Sequence, residues 1–285
     1  MTRYKDILFR TAVTLSALCV IGIIVFIFGY VFFMGFQSIN IDFLTDRPRG
    51  MPLGREGGIF PAIMGTVYLG ALSGFMAGGI ALATALFLVF YCRNTLLNKI
   101  ISTSIYFISG IPSILFGVIG HMVLIRALGI PRSLIAASIT IAVMIMPFIT
   151  IRIIKIFRED ISDLFSSSLC LGLPKWYIIR ALILPKYLVN IAASITLGIA
   201  FGVGAAAPVI HTGAVLFADV PRSITRPFMA LSNHLHILVS EGISLENAYG
   251  TALVLMVLLL AANILCRVWE HFREGEEGRF GKGSR

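Results

Sequence analysis

Long apolar runs separated by short polar intervals dominate the chain. Runs of about 20 or more mostly apolar residues lie at approximately 12–36, 60–91, 105–125, 134–154, 187–210 and 248–268. A helix of about 20 residues covers the roughly 30 Å of bilayer hydrocarbon, so six membrane-spanning segments are predicted. Hydrocarbon offers no partner for a free backbone N–H or C=O, and each span must therefore close its own hydrogen bonds as a helix. The second run exceeds the minimum and has room for tilt or an interfacial turn. Its Gly65, Gly70, Gly74, Gly78 and Gly79 permit neighbouring helices to approach closely. The fold class that follows is an all-α polytopic membrane bundle.

The polar intervals carry their own signals. Residues 37–58 hold Asp42, Asp46, Arg47, Pro48, Arg49, Gly50 and Pro52, a turn-rich irregular segment. Pro61 suits the first turn of the second span, where its missing N–H would be unpaired in any case. A short connection, 127–133, joins the third and fourth runs. The stretch "PFMALSNHLHILVSEG" within 211–247 predicts a short surface helix with a glycine stop. The closing "REGEEGRFGKGSR" is polar enough to be disordered.

One interval differs from the rest. From 160, "DISDLFSSSLCLG" puts Ile161, Leu164, Phe165 and Leu169 at helical spacing, with Asp160 and Ser162 as candidate caps. Gly172 is suited to end that helix in the left-handed conformation, and Pro174 to start another. The second, "KWYIIRALIL", carries Trp176 and Tyr177, residue types that favour the membrane–water boundary, and Pro185 is expected to break it before the fifth span. Two short helices meeting at a bend form a knuckle. Periodicity alone leaves two readings open, a connector lying on the lipid surface and a docking element.

Composition agrees with a membrane protein. Of 285 residues 58% are hydrophobic and 13% charged, with a mean hydropathy of +0.93, against about a quarter charged in soluble domains. With the N-terminus inside, seven of the 23 lysines and arginines (Arg47, Arg49, Arg55, Arg126, Arg132, Arg222, Arg226) fall outside and the rest inside, the bias that cytoplasmic loops show. The net charge of +9 is thus explained by topology, and its spread over span ends excludes a nucleic-acid partner. The first run is too long for a signal-peptide core and lacks a small-x-small cleavage site, so it is read as a retained anchor. Cys19, Cys92, Cys170 and Cys266 sit in spans or on the inner side, where no disulfide framework is expected and packing roles are.

Catalytic and metal chemistry find little support. The chain has no H-E-x-x-H, no G-x-S-x-G and no phosphate loop; "GKGS" at 281–284 lacks the required spacing. His121 is read as a packed or interfacial residue. His234 and His236, two apart, point to different sides of a helix. No catalytic residue and no metal ligand are assigned.

The spacing from Ser166 to Pro185 resembles the cytoplasmic coupling loop of ATP-binding-cassette importer permeases: Glu-Ala-Ala, three residues, Gly, nine residues, Ile, one residue, Leu-Pro. Gly172, Leu184 and Pro185 are in register, Leu182 replaces the Ile, and Ser166, Ser167 and Ser168 replace Glu-Ala-Ala. "GGIFPAIMGTVYL", "ISGIPSILFGVIG" and "MPFITIRIIKIF" are similar to stretches of PstA-type phosphate permeases, the Gly-Ile-Pro-Ser-Ile of the second being the most specific. The resemblance implies a six-helix type I ABC importer permease bundle over 59–270, with the coupling loop at 160–185. Residues 1–58 then supply an N-terminal cytoplasmic segment, the first span and an outer loop, and 271–285 a cytoplasmic tail. It further implies a multi-pass protein of a bacterial or archaeal cytoplasmic membrane with both termini cytoplasmic. The implied partners are membrane lipid, a PstC-type permease, an ABC ATPase dimer that binds ATP and Mg²⁺, and an extracytoplasmic substrate-binding protein; the chain itself binds no cofactor.

Translocation-pathway candidates are Ser109, Pro112, Ser113 and Thr140 in the third and fourth runs, and Phe201, Gly204, Ala205 and Pro208 in the fifth. The family carries an Arg and a Glu ahead of Ala-Pro in its fifth span, and alignment on Gly204 and Pro208 puts Phe201 and Ala205 at those positions. Inorganic phosphate is the implied substrate, with another oxyanion or a non-transporting scaffold or sensor as alternatives.

Overall fold

The computed structural model describes the backbone of residues 2–159 and 161–282, and their side chains except at 2–4, 162, 163 and 270–282. Five helices are long and apolar enough to cross a membrane, and a sixth span is counted if one bent helix pair is taken as a unit. The first, α1 (Thr2–Phe36), is exposed along its length from Lys5 to Tyr30 because its apolar surface faces lipid. It meets the bundle at its far end, where Gly35 lies against the Tyr249 carbonyl and Leu253 and the Tyr30 and Tyr249 rings meet edge-on at 5.8 Å. A short α2 (Ile41–Thr45) is capped by the Asn40 side chain, and a two-stranded antiparallel ribbon pairs β1 (Pro48–Arg49) with β2 (Glu56–Gly57).

The core is a three-helix stack of α3 (Phe60–Leu86), α6 (Leu134–Glu159) and α9 (Leu184–Gly204). Glycines every fourth residue let it close. Gly70, Gly74 and Gly78 of α3 receive Ile199 and Ile195 of α9, while Gly198 and Gly202 on another side of α9 receive Ile149, Ile145 and Ile141 of α6. Lipid gives helices no hydrophobic drive to associate, so close contact between small and branched residues supplies the attraction. Of the small-residue stripe that the sequence places in the second span, Gly70, Gly74 and Gly78 make this contact, while Gly65 lies against Met229 and Gly79 faces open space.

The boundaries differ from expectation where proline acts. Residues 105–125 do not form one span: α4 (Thr95–Ser109) and α5 (Ser113–Gly120, continued by a π-helical turn to Ala127) meet at 98°. The break follows from Gly110-Ile-Pro112, since the residue before a proline is forced out of the helical region. The fifth span, expected at 187–210, instead begins at Lys175 and ends at Gly204. In it α8 (Lys175–Tyr177) runs through a π-helical turn, Ile178–Ile183, into α9. Pro185 therefore does not end a helix. It occupies the start of α9, where the wide π turn before it relieves the clash that a proline ring makes with the preceding turn. Ala205, with ψ of 107°, breaks the chain before α10 (Ala206–Thr212).

At the polar margins, α11 (Leu231–Ser240) ends at Gly242 with φ of +62°, as the sequence indicates. It is not a surface helix, because Leu231, Ser232, Asn233, His234 and Leu238 are buried. The Leu231 amide donates to Thr66 Oγ1 at 2.8 Å, so a threonine from α3 caps α11. The last helix, α12 (Leu245–Lys282), continues through most of the tail expected to be disordered; its Glu, Arg and Lys favour helix and no proline stops it. The packing roles expected of the cysteines do not hold for Cys19 and Cys170, which are exposed. Asp160, a candidate cap, falls outside the described residues, and Ile161 rather than Ser162 precedes the helix that follows.

Candidate functional site: an apolar knuckle and the break at Ala205

The first helix and the bend of the knuckle form as the sequence suggests, whereas the second short helix is the opening of the fifth span. Helix α7 (Ser162–Cys170) closes with the Leu171 amide donating to the Ser167 carbonyl and the Gly172 amide to the Leu169 carbonyl. Gly172 follows at φ +81°, and Pro174, extended at ψ 144°, leads into α8. The base of this unit is held firmly. Ile161 is fully buried, the Phe165 ring lies 4.8 Å from Phe90, and Phe90 lies 5.5 Å from Phe157. Lys175 Nζ donates to the Phe90 carbonyl at 2.9 Å while sitting over the Tyr91 ring.

The tip of the knuckle is bare and greasy. Leu171 is 80% and Trp176 60% exposed, and nothing approaches the place a Gly172 side chain would take. Ser166 and Ser167 are exposed beside them, but Ser168 is buried. Leu182 and Leu184 are half-buried within the continuous rod, so the Leu-Pro end of the motif belongs to the span and not to the knuckle. The sequence marks Trp176 only as a boundary aromatic and misses Leu171; the available signal was an apolar residue directly before a helix-ending glycine.

The eight pathway candidates do not converge. Phe201 is 56% exposed and stacks on Phe148 at 5.9 Å, whose ring lies 5.9 Å from the Arg152 guanidinium carbon. Gly204 is exposed with open space around it, and Ala205 makes the adjacent break. Thr140 and Pro208 are buried instead. Thr140 Oγ1 donates to the Ala136 carbonyl at 2.9 Å and fills the notch at Gly120, while Pro208 packs on Gly117. Ser109 is exposed and donates to the Tyr106 carbonyl. Pro112 and the half-buried Ser113 start α5 at the bend. The interior threonine and proline were read as lining because sequence cannot distinguish a helix face turned to a neighbour from one turned to a cavity.

At the opposite end from the knuckle, the polar side chains act as clasps. Arg132 donates to the Ile210 and Ala214 carbonyls at 2.6 and 3.2 Å, His121 Nδ1 lies 3.0 Å from the His211 carbonyl, and Arg47 pairs with Asp219 at 2.7 Å. Among the described residues no group of three His, Cys, Asp or Glu side chains is placed to hold a metal ion.

With this arrangement goes a family match: residues 77–270 match the family described as binding-protein-dependent transport system inner membrane component. The chain belongs to that family. It is a multi-pass membrane permease of the ABC importer class. Similar curated proteins include the probable ABC transporter permease YqgI of Bacillus subtilis, 23% identical over 89% of this chain and 90% of that protein. The phosphate transport permease PstA of Mycobacterium leprae is 24% identical over 85% and 80%, and PstC of Mesorhizobium japonicum 24% over 79% and 75%. Two solved ABC importers share the permease fold. An inward-facing methionine transporter, MetNI, matches with a TM-score of 0.60 at 19% identity, covering 73% of this chain and 94% of that one. A bacterial alginate transporter in complex with an alginate-bound periplasmic protein also matches at 0.60, with 16% identity and coverage of 90% and 93%.

Proposed function

We propose that this permease forms half of the translocation pathway of an importer for inorganic phosphate, paired with a second permease and driven by a separate ABC ATPase that binds ATP and Mg²⁺. An extracytoplasmic binding protein delivers the anion. The knuckle enters a cleft of the ATPase on the cytoplasmic side and passes its closure to α6 and α9 as rigid-body motion. The observation that carries this reading is the exposed Leu171 and Trp176 around Gly172, on a base fixed to the end of the second span and to α6 by Phe90, Phe157 and Phe165. An apolar tip on a firm stalk suits a partner's pocket and transmits force; a connector resting on lipid needs no such stalk.

A second reading, import of a different oxyanion, is favoured by Phe201 and Ala205 at the two positions where PstA-type permeases carry charge. Reconstituted complex in proteoliposomes, given binding proteins loaded with phosphate, sulfate or molybdate, separates the two. ATPase stimulation by the phosphate-loaded protein alone is expected; stimulation by another oxyanion replaces the substrate, and ATP hydrolysis indifferent to every loaded protein ends the importer reading.

A further inference from the structure

A polar cleft lies between α6, α9 and α12, toward the knuckle end of the bundle, about 220 Å³ in volume. Its polar lining comes from all three helices: Arg152, Asn190, Ser194, Asn263 and Arg267. The volume is several times the roughly 30 Å³ share of one water, so it admits a small tetrahedral oxyanion.

Both arginines fall within segments long and apolar enough to be spans, Leu134–Glu159 and Leu245–Trp269. Both lie toward the ends of those segments and are exposed, where arginine side chains reach the membrane boundary and can meet anions there. Among the described residues the ion pairs are Arg47–Asp219, Arg49–Asp46 and Lys155–Glu159, none of which involves Arg152 or Arg267, and none of the described lining residues is acidic. Arg152 is exposed and rests over the Phe148 ring, which holds the guanidinium without neutralising it. Asn263 spends one amide hydrogen on the Leu259 carbonyl, which leaves its second for a ligand. Ser194 donates to the Asn190 carbonyl and keeps oxygen lone pairs only, so the donors are the guanidinium forks and the carboxamide. Two planar forks from separate helices match an anion that offers acceptors in several directions, which favours phosphoryl oxygens over a planar carboxylate.

We infer that this cleft is a binding site for a phosphate-bearing anion, held by Arg152 and Arg267 and distinct from the knuckle. The ligand is either free phosphate or the headgroup of an anionic lipid. The inference does not depend on which substrate the importer carries.

The test uses the full chain in nanodiscs with two probes. Radiolabelled inorganic phosphate is titrated in phosphatidylcholine discs, and retained phosphatidylglycerol is measured by native mass spectrometry after reconstitution in mixed phosphatidylcholine–phosphatidylglycerol discs. One probe is expected to bind, and the Arg152→Gln/Arg267→Gln double variant to weaken it at least ten-fold, while Arg180→Gln, exposed on α8's continuation and outside the cleft, leaves it unchanged. Phosphate binding assigns the free anion, and phosphatidylglycerol retention the lipid. Should the glutamine pair fail to fold, Arg152→Lys/Arg267→Lys preserves charge and loses the fork, with a several-fold weakening expected. Binding of neither probe, binding equal in wild type and both double variants, or equal weakening by Arg180→Gln overturns the site. Uptake and ATPase assays test the importer reading separately.

Discussion

At the scale of single residues, Gly172 and His234 make opposite demands. Gly172 sits in open space at φ +81°, so what a side chain costs there is conformational: about 1–2 kcal/mol for most residues in that region, less for Asn, which visits it more readily. Coupled uptake in proteoliposomes is therefore expected to fall in the order Gly172→Asn, Gly172→Ala, Gly172→Val, with ATP hydrolysis persisting as uptake is lost; Val matching wild type would remove the coupling role. His234 is 2% exposed, and its neutral form is fixed by Thr251. Because Thr251 Oγ1 donates to the Asn247 carbonyl, it accepts from His234 Nδ1–H at 3.3 Å, and the buried Nε2 finds no hydrogen-bond partner. Burial lowers this imidazole from 6.5 to about 4. Unfolding exposes a histidine that takes a proton below about pH 6.5, whereas the folded one resists until about 4. The contribution is thus complete above pH 6.5 and is lost as pH falls through that window, by at most about 3 kcal/mol at 1.36 kcal/mol per unit. The melting temperature of the detergent-solubilised permease should drop between pH 6.5 and 4.5, and His234→Gln should flatten that dependence.

At the scale of helices, the core stands on reciprocal notches. A side chain at Gly202 would come within 2.7 Å of Ile141 Cγ2 and 2.8 Å of Ile145 Cγ2, and one at Gly79 would meet nothing within 4 Å. Gly202→Leu is expected to lower stability by about 1–3 kcal/mol, the usual cost of overfilling a packed contact, and Gly79→Ala to leave it unchanged or slightly raised, as read by thermal melting in the same detergent. These helices were legible because Gly70, Gly74 and Gly78 and the run of isoleucines from Ile141 to Ile153 announce a close-packed seam. The second span runs Phe60–Tyr91, where apolar length places it. Less legible was how proline acts in context. Ile111-Pro112 breaks one span through 98°, yet Pro185 continues another, and the difference lies in the π turn at Ile178–Ile183, a backbone adjustment with no residue signature. Thr140 and Pro208 were misread for a related reason: burial against a neighbour depends on which helices meet, and hydropathy along one strand of sequence does not contain that.

At the scale of the molecule, the two ends of the bundle differ in how they treat positive charge, and the proposed orientation rests on this difference. At the end holding α2 and α11, Arg47 and Arg49 are paired with Asp219 and Asp46, and Arg132 is bonded to two carbonyls. The knuckle end holds Arg93, Lys99, Arg158, Lys175, Arg180 and Lys186, and the one ion pair found there among the described residues, Lys155–Glu159, is long at 3.9 Å and exposed. Lys and Arg in short segments beside spans favour the cytoplasmic side, and the proposed docking to an ATPase needs the knuckle there. Cys170, exposed at the end of α7, reports this directly. In a variant with Cys19→Ala, Cys92→Ala and Cys266→Ser, the last substitution keeping a hydroxyl in place of the thiol that contacts Thr196 Oγ1 at 3.1 Å, a membrane-impermeant maleimide should label Cys170 in inside-out vesicles and leave right-side-out vesicles unlabelled. Addition of the partner ATPase should slow that labelling, because the docked cleft covers Leu171 and Trp176 together with the thiol beside them. Labelling confined to right-side-out vesicles would place the knuckle outside the cell, away from any ATP, and no arrangement of the remaining polar residues would then restore a drive for transport.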